Sequence, residues 1–334
     1  MPRFFLQFSQ AHRYFGILVV AGVLTLGATH HLATAAAQQH FVVQADPVIA
    51  AAGDIACDET SPVATTATKQ VGKETDDDGP GCKEAATARL LTSESFAAVL
   101  PLGDEQYPDG TVAAFMGAYD KTWGAENRVV RPVPGNHEYH TSQAAGYYGY
   151  FKSAAGDPSK GYYSWDLSTW HFIAINANCG AIGGCTAGSP EEVWLKADLA
   201  AHPASCTLAY WHQPRFSSGH HHSDPAYQSF WEDLYAAHVD VVLNGHDHDY
   251  ERFAPQTPSG RPDADHGIRE FVVGTGGKSH YVFTATEPNS EVRNNTTFGI
   301  LKMRLHAHSY DWNFVPANGT FSDSGNGTCR GRSV

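Results

Sequence analysis

The sequence predicts an α/β fold. Five short apolar runs rich in Val, Ile and Leu each end in a turn that delivers an ionisable residue, and continuous apolar runs of this length are typical of strands buried on both faces. Helix signals lie between several runs, and strands that alternate with helices predict a sheet covered by helices. The runs are PVIAAAGD (47–54), FAAVLPLGDEQY (96–107), VVRPVPGNHE (129–138), CTLAYWHQP (206–214) and VDVVLNGHDH (239–248).

Two helix starts carry clear capping signals. Residues 189–192 read SPEE, which supplies an N-cap serine, a proline in the first turn and acidic residues near the positive end of the helix dipole. Asp224-Pro225 opens a second helix whose apolar residues recur at helical spacing. The tail differs, because IREFVVGT (268–275), residues 298–316 and the Asn318-Gly319 turn predict antiparallel strands and hairpins.

The first residues are expected to be a processing segment. Arg3 and Arg13 precede the apolar run FGILVVAGVLTLGA (15–28) and the small residues ATAAA (33–37), the pattern of a secretory signal peptide over residues 1–37 that is cleaved near Ala35 or Ala37. An uncleaved anchor is the alternative, although a membrane helix needs about 20 apolar residues. Residues 38–334 are then predicted to form one domain that is secreted, extracellular, periplasmic or at the cell surface.

The cysteine count agrees with export. An even number of cysteines in an exported chain predicts disulfides, and Cys179 and Cys185 bracket a short GAIGG stretch that favours local pairing. The spacing of the other four leaves their pairing open. The pairs that we favour are Cys57 with Cys82 and Cys206 with Cys329.

The net charge limits the partners. A formal charge of −13 without a basic stripe or a basic amphipathic helix argues against nucleic acid and against anionic membranes. We therefore expect no nucleic-acid partner and no stable membrane insertion after signal cleavage. The oligomeric state is left open.

The polar residues after the five runs form a candidate site. Ligand sites in α/β sheets lie beyond the carboxyl ends of the strands, so turns far apart in sequence are expected to converge. His246 and His248 stand two residues apart, so their rings project to one side of an extended segment. Oxygen and nitrogen ligands without thiolate favour first-row ions such as Fe, Zn or Mn. The gathered groups are Asp54, Asp104, Tyr107, Asn136, His137, His212, His246 and His248.

These blocks resemble a known family. GD (53–54), GDEQY (103–107), GNHE (135–138), WHQP (211–214) and GHDHDYER (245–252) resemble, in order, the five motifs of the calcineurin-like metallophosphoesterases. Tyr107, three residues after Asp104, is similar to the purple acid phosphatase branch. The resemblance implies a four-layer α/β sandwich, with two mixed β-sheets flanked by helices, and a metallophosphoesterase catalytic domain over residues 38–334.

The resemblance also implies a role for each residue. His137 would lie beside the substrate phosphate, where it stabilises charge or moves a proton. The implied ligands are Asp54, Tyr107 and His248 for the first metal, Asn136, His212 and His246 for the second, and Asp104 as the bridge between the two.

A histidine-rich loop follows the fourth motif. SSGHHHSD (217–224) offers His221 or His222 as the proton donor to the leaving group, and plant purple acid phosphatases carry similar paired histidines. A solvated polar loop is the alternative. Arg215 is expected either to hydrogen-bond phosphate or to pair with a nearby carboxylate.

The remaining charged groups near the motifs are expected to act on the ligands. Metal-bound histidines usually donate their second N–H to a carboxylate or carbonyl, so Asp247, Asp249, Glu251 and Arg252 are predicted to orient imidazoles and to neutralise one another. Glu105, next to the bridging carboxylate, either faces solvent or alters metal preference.

Charge counting favours a trivalent ion. Fe(III) with a divalent ion, set against Asp54, Asp104, a tyrosinate at Tyr107 and a bound hydroxide, leaves one positive charge to attract a phosphate dianion. The expected cofactors are two metal ions, Fe(III) plus Zn, Mn or Fe(II).

The predicted function is hydrolysis of small phosphate monoesters by a metal-held hydroxide. A phosphodiesterase that acts on nucleotide or phospholipid-type diesters with the same metals is the alternative. A non-catalytic extracellular module that binds metal or phosphate is a more remote one.

Overall fold

The structure, a computed structural model, describes residues 45–57 and 82–331. All of these residues belong to one structural unit that begins at Ala45. The predicted signal segment, residues 1–37, lies outside the described residues.

The strands of the described residues are short and spread along the chain. They are β1 (Val48–Ala52), β2 (Ala56–Cys57), β3 (Ala98–Pro101), β4 (Gln106–Tyr107), β5 (Tyr163–Leu167), β6 (Trp170–Ala174), β7 (Cys206–Tyr210), β8 (Val241–Asn244), β9 (Tyr250–Phe253), β10 (Arg269–Val273), β11 (Ser290–Asn294), β12 (Gly299–Leu305), β13 (Ser309–Pro316) and β14 (Ser324–Thr328).

The helices are also short. The α-helices are α1 (Glu84–Leu91), α2 (Val112–Gly117), α3 (Ala145–Phe151), α4 (Cys179–Ile182), α5 (Pro190–Ala201) and α6 (Gln228–Ala236). Single 3-10 turns are Trp123–Glu126, Glu138–His140, Ser142–Ala144, Lys152–Ala155 and Pro225–Tyr227. Within the described ranges, no helix has the length and apolar character needed to cross a bilayer.

Besides the two-stranded pair of β2 and β4, the described residues form two sheets, and the smaller of these two joins the first described strand to the last ones. Its order is β14-β13-β12-β1-β3, with β1 parallel to β3 and the other neighbours antiparallel. The hairpin of β12 and β13 and the antiparallel pairing of β13 with β14 confirm the antiparallel tail predicted from the sequence. The tail therefore supports β1, the strand that leads to Asp54.

The larger sheet is mixed. Its order is β11-β9-β10-β8-β7-β6-β5, in which β6, β7, β8 and β10 run parallel while β5, β9 and β11 run antiparallel to their neighbours. The prediction of antiparallel strands in the tail is only half right for β10, which has one parallel and one antiparallel neighbour. This strand inserts between β8 and β9, so it pairs in parallel with one and antiparallel with the other.

The two sheets and the helices form four layers. Val241 and Leu243 of β8 belong to the core shared with the smaller sheet, while Val242 between them packs with Phe230 and Trp231 of α6 on the other face. This alternation follows from the period of two in a strand. Helix α1 packs against β12 of the smaller sheet. The predicted four-layer α/β sandwich is confirmed.

The third apolar run forms no regular strand. Pro132 and Pro134 lack the N–H that a ladder requires, and only Val130 makes an isolated parallel bridge, to Val99 of β3. Val133 N–H still donates to the carbonyl of Pro101 at 3.2 Å. The run therefore follows β3 and carries GNHE to the same edge of the sheet, as predicted.

Both predicted helix starts are confirmed. The Ser189 hydroxyl accepts from the N–H of Glu192 at the start of α5, with Pro190 in the first turn. Asp224 caps the 3-10 turn that leads into α6 by accepting from the N–H of Ala226 at 2.8 Å.

The structure contains the three disulfides that the sequence favours. They are Cys57–Cys82, Cys179–Cys185 and Cys206–Cys329. The last links the start of β7 to the end of the described chain across 123 residues, whereas Cys179–Cys185 spans only 6.

Loss of the long-range disulfide should cost more stability than loss of the local one. In the chain-entropy model, C206A/C329A should lower the free energy of unfolding by about 5 kcal/mol and C179A/C185A by about 2 kcal/mol, because the longer loop restricts the unfolded chain more. Denaturant unfolding of both variants under non-reducing conditions measures the difference. Equal losses would contradict the entropic explanation.

Candidate metal centre

Four strands end at the candidate site. Asp54 follows β1, Asp104 follows β3, His212 follows β7, and His246 lies two residues after β8. β1 and β3 are parallel neighbours in the smaller sheet, and β7 and β8 are parallel neighbours in the larger one. The predicted convergence therefore occurs at the carboxyl ends of these strands, at one end of the sandwich.

Three of these residues have a strained backbone. Asp54, Asp104 and His246 have φ values of 61°, 49° and 71°, a left-handed region that few non-glycine residues adopt. Their environment holds them there: the N–H of His246 donates to Asp54 Oδ2 at 2.9 Å, and the N–H of Asp54 donates to the carbonyl of Gly103 at 3.0 Å. Such strain is typical of functional sites.

The loop of GNHE approaches Asp104 very closely. A Cβ atom on Gly135 would lie 2.1 Å from Asp104 Oδ1, so only glycine fits there. The N–H of His137 donates to the same Oδ1 atom at 2.9 Å. The other carboxylate oxygen of Asp104 is thereby directed towards the remaining candidate ligands.

The predicted ligands of the first metal lie together. Tyr107 Oη lies 2.8 Å from Asp54 Oδ1, 3.1 Å from Asp104 Oδ2 and 3.1 Å from His248 Nε2. His248 Nε2 lies 3.3 Å from Asp54 Oδ1. Distances near 3 Å between donor atoms are those found around a single ion.

The predicted ligands of the second metal surround the same carboxylate. His212 Nε2 lies 3.1 Å from Asp104 Oδ2, and one ligand atom from each of Asp104, His212 and His246 falls within 4.8 Å of the others. Asn136 lines the same cavity, which has a volume of about 270 Å³. Asp104 Oδ2 is thus within 3.1 Å of an atom of each set.

One orphaned atom fits a metal ion. Asn136 Oδ1 is buried and has no hydrogen-bond partner among the described residues, whereas His212 Nε2 faces Asp104 Oδ2. A buried polar atom without a partner costs about 1–3 kcal/mol, and a metal ion would satisfy Asn136 Oδ1. The donor set therefore fits two ions.

Asp104 and His212 are ionised as a pair. Burial would raise the pKa of Asp104, but His212 and His137 outweigh it and hold that pKa well below its usual range. Burial lowers the pKa of His212, yet the Asp104 carboxylate outweighs it and raises the pKa to about 9. A metal ion would displace the proton of His212, as imidazole ligands require.

Tyr107 and His246 are both neutral without a metal. Burial, together with the carboxylates of Asp104 and Asp54, raises the pKa of Tyr107 well above its usual value. Burial and the nearby His212 lower the pKa of His246 well below its usual value. His246 is therefore ready to coordinate, whereas the proton of Tyr107 must be displaced, which a trivalent ion does more readily than a divalent one.

Backbone carbonyls orient the ligand imidazoles. His212 Nδ1 lies 2.8 Å from the carbonyl oxygen of Leu102, and His248 Nδ1 lies 2.6 Å from that of Ser279. The expectation that the acidic residues of GHDHDYER orient the imidazoles is therefore wrong. Their side chains contact other groups.

Two of these acidic residues hold the histidine loop instead. Asp247 accepts from the hydroxyl of Ser217 and from the N–H of His221. Glu251 accepts from both the N–H and the hydroxyl of Ser218, at 2.8 and 2.6 Å. These bonds connect GHDHDYER to SSGHHHSD.

The other two charged residues of this motif have different surroundings. Arg252 pairs with Asp323, at 2.6 Å, and with Glu291. Asp249 is buried, and its carboxylate has no hydrogen-bond partner among the described residues. Burial and the carboxylates of Asp247 and Glu251 raise the pKa of Asp249 well above its usual value. The predicted mutual neutralisation of the four groups is therefore wrong.

Glu138 joins two ligand loops. Its Oε2 accepts from the N–H groups of Asp104 at 2.9 Å and Gly135 at 2.8 Å, and its Oε1 accepts from the N–H of Gln106 at 3.3 Å. Burial, with a further contribution from the Asp104 carboxylate, raises the pKa of Glu138 to about 7. One side chain therefore holds Asp104 and the GNHE turn together.

Glu105 is buried, so the expectation that it faces solvent is wrong. Burial and the nearby Glu138 raise its pKa well above the usual value. It does not line the cavity that contains the candidate ligands.

The candidate catalytic histidines occupy different positions. His137 lines the cavity, with Nδ1 2.6 Å from the carbonyl oxygen of Pro108 and Nε2 3.9 Å from Asp104 Oδ2. His221 also lines it and stacks on His246 with ring centroids 4.1 Å apart. His222 is exposed, does not line the cavity, and lies with Nδ1 3.4 Å from the hydroxyl of Thr284.

Arg215 lies away from the cavity. Its guanidinium donates to Gln228 Oε1 at 2.8 and 3.1 Å and lies over the Phe216 ring. Arg215 does not line the cavity, so the structure does not place it beside a substrate phosphate. Burial lowers its pKa, and the nearby carboxylates of Glu270, Asp224 and Glu287 oppose that shift.

Two cavity residues carry no signal in the five motifs. Tyr281 stacks on His248 with ring centroids 3.9 Å apart, and the ring centroids of His140 and His137 are 4.6 Å apart. Tyr281 belongs to GTGGKSHY (274–281), which follows β10. This apolar run with a glycine-rich turn is a sixth instance of the pattern and could have been recognised.

Comparison with known proteins agrees with the geometry. Residues 47–250 match the model of a family described as calcineurin-like phosphoesterase. Purple acid phosphatase 15 of Arabidopsis thaliana is 35% identical over 104 residues, which cover 29% of this chain and 19% of the relative. Purple acid phosphatase 23 of the same plant is 30% identical over 169 residues, 44% of this chain and 35% of the relative. The chain thus spans about a third of these relatives or less.

Solved structures share the fold. A purple acid phosphatase from yellow lupin (Lupinus luteus) seeds superposes with a TM-score of 0.64 at 16% identity, covering 85% of this chain and 54% of that one. GAP50, described as the anchor in the inner membrane complex of Plasmodium, superposes with a TM-score of 0.56 at 15% identity. The match covers 87% of this chain and 90% of that one. At these identities the likeness concerns the fold alone.

Replacement of Glu138 should loosen the site. E138Q turns one acceptor oxygen into an amide that faces N–H donors, which should lower the free energy of unfolding by about 1–3 kcal/mol and reduce the metal retained after dialysis. E94Q, at an exposed glutamate paired with Lys302, is the control and should change neither. Denaturant unfolding and elemental analysis measure the two effects, and unaltered metal retention in E138Q would contradict this role.

Proposed function

The chain belongs to the calcineurin-like phosphoesterase family, and from that premise we propose that it is a phosphoric ester hydrolase that cleaves small phosphate monoesters with two metal ions. The supporting observation is the position of Asp104 Oδ2, within 3.1 Å of both Tyr107 Oη and His212 Nε2. One carboxylate oxygen between two complete donor sets is the arrangement that a two-metal site requires.

The residues that we propose to hold the ions are those that the family resemblance implies, and the distances between them support this assignment. The first set is Asp54, Tyr107 and His248, the second is Asn136, His212 and His246, and Asp104 belongs to both. When bound, the ions would supply a water of lowered pKa and Lewis acidity towards the phosphoryl oxygens. Fe(III) with Zn, Mn or Fe(II) is the pair that we propose, because tyrosinate suits a trivalent ion.

His137 is proposed to stabilise charge on the phosphoryl group. Its Nδ1 faces the carbonyl of Pro108, which directs Nε2 into the cavity next to Asp104. A ring held in this way can donate a hydrogen bond from Nε2 when protonated, or accept a proton there when neutral. Its contribution would be electrostatic and would need no movement of the ring.

His221 is proposed as the proton donor to the leaving group. The bond from its N–H to Asp247 fixes the loop, and the stack on His246 places the ring at the cavity wall. Burial lowers its pKa in the free protein, so a bound phosphate dianion would have to raise it for the ring to carry a proton. His222 lies outside the cavity and is not needed for this step.

Secretion is part of the proposal. The three disulfides support an oxidising compartment, where such bonds persist. A small phosphate ester suits a cavity of about 270 Å³ lined by histidines.

The activity is tested by comparing an aryl phosphate monoester with the matching diester. Purified protein should hydrolyse the monoester faster, should lose this turnover when the metal is stripped, and should regain it when Fe is restored with Zn or Mn. A preference for the diester would replace the proposal with the phosphodiesterase alternative. Protein that holds two metals and turns over neither ester would favour the non-catalytic alternative.

The role of His221 is tested by leaving-group dependence. H221Q should lower kcat by about 10² to 10⁴ for alkyl phosphates and much less for aryl phosphates with acidic leaving groups, since only the former need the proton. H222Q is the matched control from the same loop and should behave like the unaltered protein. If kcat falls equally for all leaving groups in H221Q, His221 is not the proton donor.

A further inference from the structure

A second cluster of metal-ligating side chains lies far from the candidate metal centre. It comprises His171 on β6, Asp198 on α5 and His202, the residue that follows α5. β6 is parallel to β7 and His171 pairs with Thr207 near the start of β7, whereas His212 follows the end of that strand. The cluster therefore lies at the opposite edge of the larger sheet, and we propose that it is a separate Zn²⁺ site.

The donor atoms have the spacing of a metal site. His171 Nε2 lies 2.8 Å from Asp198 Oδ2, and His202 Nδ1 lies 3.2 Å from Asp198 Oδ1 and 3.0 Å from the backbone carbonyl oxygen of Asp198. One ligand atom from each of the three residues falls within 4.8 Å of the others. Two imidazoles and one carboxylate, with water in a fourth position, are a common ligand set for zinc and a poor one for calcium or magnesium.

An outer carboxylate orients His171 as zinc ligands require. His171 Nδ1 lies 2.7 Å from Asp166 Oδ1, so Asp166 accepts the Nδ1–H. Nε2 faces Asp198 and is the nitrogen that would bind the ion once its own proton is lost. A carboxylate behind the coordinating imidazole is a recurrent feature of zinc sites.

Asp198 is prepared for the same role. The hydroxyl of Ser164 donates to its Oδ1 at 2.6 Å, which fixes the carboxylate between the two imidazoles. In the metal-free protein a proton shared by His171 and Asp198 occupies the position of the ion. Zinc and this proton would compete for one place.

The cluster is accessible from one side only. His171 and Asp198 are 2% and 7% exposed, whereas the side chain of His202 is 45% exposed. His202 and Asp166 line an open cleft of about 420 Å³. The His202 ring stacks on that of His171 at 4.8 Å, and its exposure lets it turn towards an ion that enters from solvent.

A zinc ion here would have a structural effect. It would tie the end of α5 to β6 of the larger sheet, and any ligand that binds only the folded chain stabilises it. The proposal does not depend on phosphatase activity, because none of its residues lines the cavity of the candidate metal centre.

The test is the number of zinc ions bound per chain. Metal-free protein is titrated with Zn²⁺ against a chromogenic chelator, and H202Q should bind one ion fewer than the unaltered protein. H266Q is the matched control, because His266 is another exposed histidine beside an aspartate, Asp263, and it should leave the number unchanged. Equal numbers for H202Q and the unaltered protein would overturn the proposal.

A second variant separates coordination from simple packing. D166N should leave the number of ions unchanged and weaken the affinity of this site by about 10- to 100-fold, since the outer partner then no longer polarises His171. The Asp166 side chain is 66% exposed, so the variant should fold even if H202Q does not. An unchanged affinity for zinc in D166N would show that Asp166, His171, Asp198 and His202 bind one another but do not form a zinc site. Monoester turnover should be the same in both variants.

Discussion

The carboxylate of Asp104 is the group on which the rest of the site depends. One of its oxygens accepts from the N–H of His137, and the other lies between Tyr107 and His212. The backbone at Asp104 is left-handed, with φ at 49°, and its N–H donates a hydrogen bond to the Glu138 carboxylate. The strain is sustained because the two neighbouring loops are held by the same buried glutamate.

This arrangement requires two sheets that pack face to face with the carboxyl ends of these strands at the same end of the sandwich. The smaller sheet delivers Asp54 and Asp104, and the larger sheet delivers His212 and the GHDHDYER loop. Strand β12 of the tail pairs with β1, so the tail fixes the strand that precedes Asp54. Packing of the two sheets on a shared core then sets the separation of the two donor sets.

Much of this could be predicted from the sequence, because buried runs and polar turns leave a clear pattern. The segment with Pro132 and Pro134 was harder, since an apolar run resembles a strand whether or not its N–H groups are available. The carbonyls that orient His212 and His248 could not be predicted, because every residue carries one. The glycine-rich turn before Tyr281 follows the same pattern, but its position at the site depends on the fold, which places the end of β10 beside that of β8.

The most direct test of the account is a crystal structure of the protein loaded with Fe and Zn, with the ions identified by anomalous scattering. The account predicts two ions about 3.5 to 4 Å apart, both coordinated by Asp104, with Tyr107 bound to the iron. A single ion, or two ions of which only one contacts Asp104, would contradict it.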